Sequence, residues 1–192
     1  MPKLTEATRE ARRTQILEAA TACIVDHGFS TTSMSQIIEK SGLSSGSIYS
    51  HFASKEEILQ EVISANIQVV KNTYKPQENY FSPRQLATAF SKKLEISMGA
   101  RLMFAIWGEA ASNIETAQIT SSTINEINNY FGELLLPWAE KNTPKNQNPE
   151  VFSRRTARIV MVIVHGCIFR LTVDSTVNRT EFMEDAFALL PE

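Results

Sequence analysis

Glycine and proline are scarce in this 192-residue chain, at seven each, and cysteine is scarcer, at two. Few breakers, no convincing alternation of apolar and polar side chains, and apolar residues recurring at spacings of three and four all point to an all-helical fold. Cys23 and Cys167 are too few for a secreted disulfide framework and sit in apolar helical contexts, so a reducing cytosol is expected. Three histidines, far apart in sequence, supply no metal-ligand spacing, and neither metal nor cofactor is expected. The opening run Met1-Pro2-Lys3-Leu4-Thr5-Glu6 has no apolar core of the kind a secretory leader needs. Charge of one sign is also missing: 19 Lys and Arg against 21 Asp and Glu leave a net charge of −2. That balance argues against coating nucleic acid or membrane through bulk charge, and leaves room for a locally focused contact. What remains, 43% hydrophobic and 21% charged, is an ordinary soluble globular composition. The length suffices to bury a core without disulfides or metals, and disorder and collagen are excluded.

The helices can be placed by their caps. Ile16, Leu17, Ala20, Cys23, Ile24 and His27 line one face of a first helix that Gly28 stops. Ser33-Met34-Ser35-Gln36 has the form of a capping box opening a very short helix through Ile37 and Ile38, ended by Gly42. Ser44 caps a third helix running to about Phe52, and Ser54-Lys55-Glu56-Glu57 is a second capping box, opening a long helix that the run 75–79 breaks. Longer helices follow. Ser82-Pro83 opens one to about Ser97; segments 101–112 and 115–140 come next, with Pro137 expected to kink or end the latter. After a polar loop over 141–149 come a very apolar helix at 151–173 and a last one capped at Asn178 and ending near Leu190. About nine helices result: a helix-turn-helix domain over 1–55, then a larger bundle over 56–192.

Residues 156–173 approach the length of a membrane span, but Arg158, His165 and Arg170 interrupt them. A helix apolar nearly all round is instead buried on several sides, at the centre of a bundle or under a second copy of the chain, and no membrane partner is expected.

Residues 33–52 have helix-turn-helix spacing. Ile37, Ile38, Leu43, Ile48 and Phe52 pack inward, leaving Ser44, Ser45, Gly46, Ser47, Tyr49, Ser50 and His51 outward. A merely solvated helix would carry Glu and Lys there. Small side chains instead let a helix approach base edges, and hydroxyls either donate or accept. With no Arg, Asn or Gln between Ser44 and His51, discrimination must come from short contacts, backbone fit and DNA shape.

The run 14–20, His27-Gly28-Phe29, the stretch Ser41-Gly42-Leu43-Ser44-Ser45-Gly46-Ser47-Ile48-Tyr49-Ser50-His51-Phe52 and Ser54-Lys55-Glu56-Glu57-Ile58-Leu59 resemble the N-terminal domain of TetR-family transcriptional regulators. The resemblance covers the first third of the chain. It implies a homodimer through the last two long helices, a double-stranded operator with two half-sites, and a pocket for a small-molecule inducer in the C-terminal domain. It implies base reading at Ser45, Gly46 and Ser47 and phosphate contacts at Tyr49, His51 and Lys55. Ser33, beside Thr32, is a further phosphate candidate; Arg9, Arg12 and Arg13 are either phosphate contacts or a solvated run.

In the C-terminal half, Met103, Trp107, Phe131, Met161, His165 and Phe169 are the candidate lining of an aromatic, sulfur-rich cavity, each with core packing as the alternative. Glu109 and Arg101 suit a charged ligand group or a surface pair. Ile159, Val160, Ile163, Val164, Phe182 and Phe187 are the expected dimer surface, with Gly166 admitting a close helix. His165 and Cys167 lie two apart, hence on different helix faces, so no enzyme is expected. The reading is a cytoplasmic repressor released from DNA by a small hydrophobic or aromatic ligand. The alternatives are a TetR-like activator, a regulator without ligand, and a helical interaction module without DNA.

Overall fold

The computed structural model describes residues 5–76, 80–96 and 99–192, and holds nine helices and no strand among them. They are α1 (Glu6–His27), α2 (Met34–Ser41), α3 (Ser45–Tyr49), α4 (Lys55–Thr73), α5 (Pro83–Ile96), α6 (Gly99–Ala110), α7 (Ile114–Asn142), α8 (Pro149–Val173) and α9 (Arg179–Ala188). Most boundaries follow from local chemistry. Ser33 accepts from the Gln36 amide while the Gln36 side chain takes the Ser33 amide, so the expected capping box forms. Ser44 and Asn178 cap α3 and α9 as their positions imply. The Ser54 box is offset: its hydroxyl accepts from the Glu57 amide, but the Glu57 carboxylate reaches the Ala53 amide at 2.6 Å. Gly42 closes α2 in the left-handed region at φ 66°, a conformation other residues adopt at a cost.

Two boundaries depart from expectation: α3 ends at Tyr49 rather than near Phe52, and α7 does not end at Pro137. α1 begins at Glu6, well before its first buried residue, Ile16, because Thr5 caps it and Glu6 supplies an acid in the first turn. Pro137 does not end α7, which runs on to Asn142. Leu134, Leu135, Trp138 and Ala139 are buried on both sides of the proline, and that packing outweighs the lost backbone bond. α4 ends at Thr73, just before the expected break at 75–79; residues 77–79 of that run and the expected helix end at Ser97 lie outside the described residues.

The chain divides into two compact units, Met1–Asn66 with Arg101–Thr120, and Ile67–Ala100 with Ser121–Glu192. In the first, Ile16, Ala20 and Ile24 of α1, Ile37 of α2, Ile48 of α3, Phe52, and Ile58, Leu59 and Val62 of α4 form one core. The Gln15 side chain adds a tie, donating to the Ser41 carbonyl at 2.6 Å where α2 ends. In the second unit α5 packs against α8 and α9. Phe90 of α5 stands edge-to-face on Phe131 of α7, with ring centres 4.8 Å apart. The Tyr130 hydroxyl donates to the carbonyls of Lys71 and Tyr74, closing the end of α4. Arg84 closes α9 in the same way, donating to the carbonyls of Phe187, Ala188 and Leu190.

α8 is long and apolar enough to cross a membrane by length and composition alone. Its inner face, Ala157, Val160, Met161, Val164, Cys167 and Ile168, is buried against the rest of the unit.

Candidate nucleic-acid interface

Ile48 is fully buried under α3 and Phe52 just beyond it is 3% exposed, so the short helix is pinned by its inner face. Ser44, Ser45, Gly46, Tyr49 and Ser50 are consequently exposed together, with Tyr49 at 52%. Gly46 has nothing within 4 Å of where a Cβ would stand, so its backbone lies open to an approaching surface. Ser33 is exposed at the N-terminus of α2, where free backbone N–H groups and the helix dipole favour an anion.

Three expected contacts are turned differently. Ser47 is half-buried, and its hydroxyl oxygen is covered without a hydrogen-bond partner, so it does not face outward in this rotamer. Thr32 is 2% exposed and its hydroxyl donates to the Gly28 carbonyl at 2.7 Å; it serves the end of α1 rather than a phosphate. The Lys55 ammonium donates to the carbonyls of Phe29, at 3.0 Å, and Ser30, at 3.4 Å, and stands 4.4 Å from the Phe29 ring centre. Helical spacing could not reveal the Thr32 and Lys55 orientations, because their partners lie in the turn that follows α1.

His51 is half-buried, and its pKa is lowered first by burial and then by Arg9, Arg12 and Arg13. The imidazole is therefore neutral at neutral pH, with one N–H to donate. The same influence shows that the three arginines of α1 bring their field to the end of α3. Arg13 is tethered by Glu61 and Glu10, whereas Arg9 is exposed and Arg12 half-buried.

The expected ligand lining divides between the units. Met103 and Trp107, both half-buried on α6, belong to the first, where Trp107 meets Phe104 edge-to-face at 6.0 Å. Phe131, Met161 and His165 belong to the second. There Phe90, which the sequence reading passed over, joins them, with its ring centre 6.1 Å from that of His165. Burial lowers the His165 pKa to about 4, so the group is neutral at neutral pH. Phe169 is instead 53% exposed on the opposite face of α8 and lines no interior. Glu109 accepts a hydrogen bond from the Ser30 hydroxyl instead of standing in a cavity.

The dimer assignment also needs correcting. Val160 and Val164 of α8 and Phe187 of α9 are already buried within the chain and offer no surface to a second copy. Ile159 is exposed, as are Val151, Val162, Phe169 and Val173. At about 100° per residue these five fall within an arc of about 80°, opposite the buried face. Gly166 lies in the same arc with nothing within 4 Å of a Cβ position. Ile163 and Phe182 are half-buried.

Comparison with known proteins places this site in context. Residues 16–62 match the model for bacterial regulatory proteins of the tetR family. The chain is 36% identical over 66 residues to the HTH-type transcriptional regulator YfiR of Bacillus subtilis, a match spanning 34% of this chain and only 32% of that protein. It is 22% identical over 180 residues to the HTH-type transcriptional regulator UidR of Escherichia coli, spanning 93% and 90% of the two. Among solved structures, GusR of Salmonella enterica superposes with a TM-score of 0.76 at 20% identity, over 98% of this chain and 96% of that one.

Proposed function

The chain belongs to the TetR family of transcriptional regulators, and we propose on that premise that it acts as a homodimeric, cytoplasmic repressor released from its operator by a small hydrophobic or aromatic ligand. The observation that carries the DNA half of this reading is the exposed face of α3, where Ser44, Ser45, Gly46 and Tyr49 stand clear of the core over a fully buried Ile48. In this reading residues 1–55 read DNA and residues 56–192 dimerise and bind the ligand. Ser45 and Gly46 approach base edges, joined by Ser47 once its hydroxyl turns outward. Ser33, Tyr49 and His51 hold phosphates, and Ser44 keeps the N-terminus of α3 in position.

The five exposed apolar side chains of α8, in an arc that also holds the exposed Arg155, support the dimer with α9 beside it: two helices from each copy make a four-helix interface. Such a dimer sets its two recognition helices about 34–36 Å apart, one turn of DNA. The neutral His165 and the Phe90–Phe131 pair support a ligand of aromatic or greasy character. A ligand that prefers a different spacing of the two α3 helices lowers DNA affinity by the same factor by which DNA lowers its own. α4, α6 and α7 each carry residues of both units.

A gel-shift assay on the DNA flanking the chain's own gene tests this. Wild type should bind specifically, and Tyr49→Ala much more weakly. Absence of salt-dependent duplex binding would leave only a helical interaction module. Transcription measured with and without the gene separates repression from activation.

A further inference from the structure

The turn between α1 and α2, residues 28–33, is held from two sides by side chains remote in sequence. From the start of α4, Lys55 uses two of its three donors on the carbonyls of Phe29 and Ser30 and places its charge over the Phe29 ring, which is itself 5% exposed. From the last turn of α6, Glu109 accepts the Ser30 hydroxyl. Between them the turn closes on itself: the Thr32 amide donates to the carbonyls of Gly28 and Phe29, at 3.2 Å each, and the next residue, Ser33, opens α2. All of these groups lie in the first compact unit.

We propose that Lys55 and Glu109 are positioning residues that clamp this turn, fixing the N-terminus of α2 for its phosphate, and that neither is itself a ligand of phosphate or of a small molecule. In the free protein the Lys55 ammonium is engaged by two backbone carbonyls rather than left to solvent, so a role in holding the turn needs no DNA. An acid that recognised a cationic ligand would have its carboxylate in a cavity, whereas this one is engaged by a serine of the DNA-binding half. The contact gives α6 a direct hold on the turn that precedes α2. The consequence for DNA rests on the reading proposed above; the clamp itself is a property of the free protein.

The test therefore has a DNA-free arm and a DNA arm, both on the full-length chain. In the first, amide hydrogen exchange at Thr32 and Ser33 is measured in wild type, Lys55→Met, Glu109→Ala and Glu109→Gln, with the amides of α8 as a folding control. The clamp predicts exchange several-fold faster in Lys55→Met and Glu109→Ala, near wild type in Glu109→Gln, which keeps an acceptor, and unchanged in α8. In the second, affinity for the DNA flanking the chain's own gene is followed against salt. The clamp predicts that Lys55→Met loses about tenfold in affinity per half-site, the scale of a charge-assisted hydrogen bond, or about a hundredfold for the dimer, at every salt concentration. A phosphate ligand would instead cut the salt slope by about 1.8, or about 0.9 for each of two half-sites. Glu109→Ala gives a test by sign: removing an acid from near DNA tightens a purely electrostatic contact, whereas loss of the clamp weakens it. Unchanged exchange in both Lys55→Met and Glu109→Ala, a reduced slope in Lys55→Met, or tighter binding by Glu109→Ala would overturn the proposal. Wild type failing to bind DNA would overturn the functional reading, and exchange alone would still decide the clamp.

Discussion

Replacing Val162 by glutamate should abolish the proposed dimer while leaving the protomer folded. Val162 is 72% exposed, so the substitution touches little of the chain's own core and should change protomer stability by no more than about 0.5 kcal/mol. The five apolar side chains of the outer arc of α8 are between 53% and 72% exposed. Burying such a side chain completely is worth about 1.5–3 kcal/mol, so each has about 1 kcal/mol still to gain, or about 10 kcal/mol over two copies. Association costs about 4–15 kcal/mol, so the arc and α9 together leave a modest surplus that a buried charge easily reverses. A glutamate at 162 would bring one carboxylate from each copy into the contact, at several kcal/mol per ion, raising Kd by about a thousandfold or more. Sedimentation velocity at micromolar concentration should show a dimer for wild type and a monomer for Val162→Glu, with the same far-UV helicity. The inner face supplies the contrast: Val160 is fully buried within the chain, so Val160→Glu should unfold the protomer instead. A Val162→Glu protein that remains dimeric with unchanged Kd would refute the assignment of this face.

Tyr49→Ala should leave the melting temperature nearly unchanged, because the ring is half-exposed, while strongly weakening operator binding; equal affinity would remove Tyr49 from the interface. Gly42→Ala should destabilise by about 1–2 kcal/mol through the left-handed backbone alone, since nothing lies within 4 Å of the added Cβ. Gly42→Asn should recover part of that loss, and urea titrations that fail to separate the two variants would contradict the strain argument. His165 is held neutral by burial, with its pKa lowered from 6.5 to about 4. Below pH 6.5 the unfolded chain takes up a proton that the folded chain refuses, so stability falls by up to about 1.4 kcal/mol per pH unit until the folded pKa is reached. His165→Leu should lose that part of the acid sensitivity, and identical pH profiles for the two proteins would refute it.

The sequence exposed whatever depends on neighbours along the chain. The box at Ser33 and Gln36, the caps at Ser44 and Asn178 and the left-handed stop at Gly42 need only a few consecutive residues, and each forms as read. Of the kink or end expected at Pro137, the end is overturned, because its local cost is outweighed by Leu134, Leu135 and Trp138 packing around it. The dimer face misled for a different reason: α8 is apolar on two opposite sides, and periodicity cannot say which side the chain's own core takes. Lys55 and Glu109 were invisible in their actual roles because their partners lie 26 and 79 residues away. The outward face of α3 was legible for Ser44, Ser45, Gly46 and Tyr49, though not for the half-buried Ser47, because a five-residue helix pinned by one isoleucine has little choice of orientation.

The most direct test of DNA recognition by a symmetric pair of α3 helices is a footprint of the full-length protein on the DNA flanking its own gene, taken across a salt series. The account predicts two protected half-sites with centres about one turn, 10–10.5 base pairs, or a whole multiple of it apart. Their affinity should fall steeply with salt, and both should be lost together in Val162→Glu. A single protected site, or a footprint that survives the loss of the dimer at unchanged affinity, would contradict it.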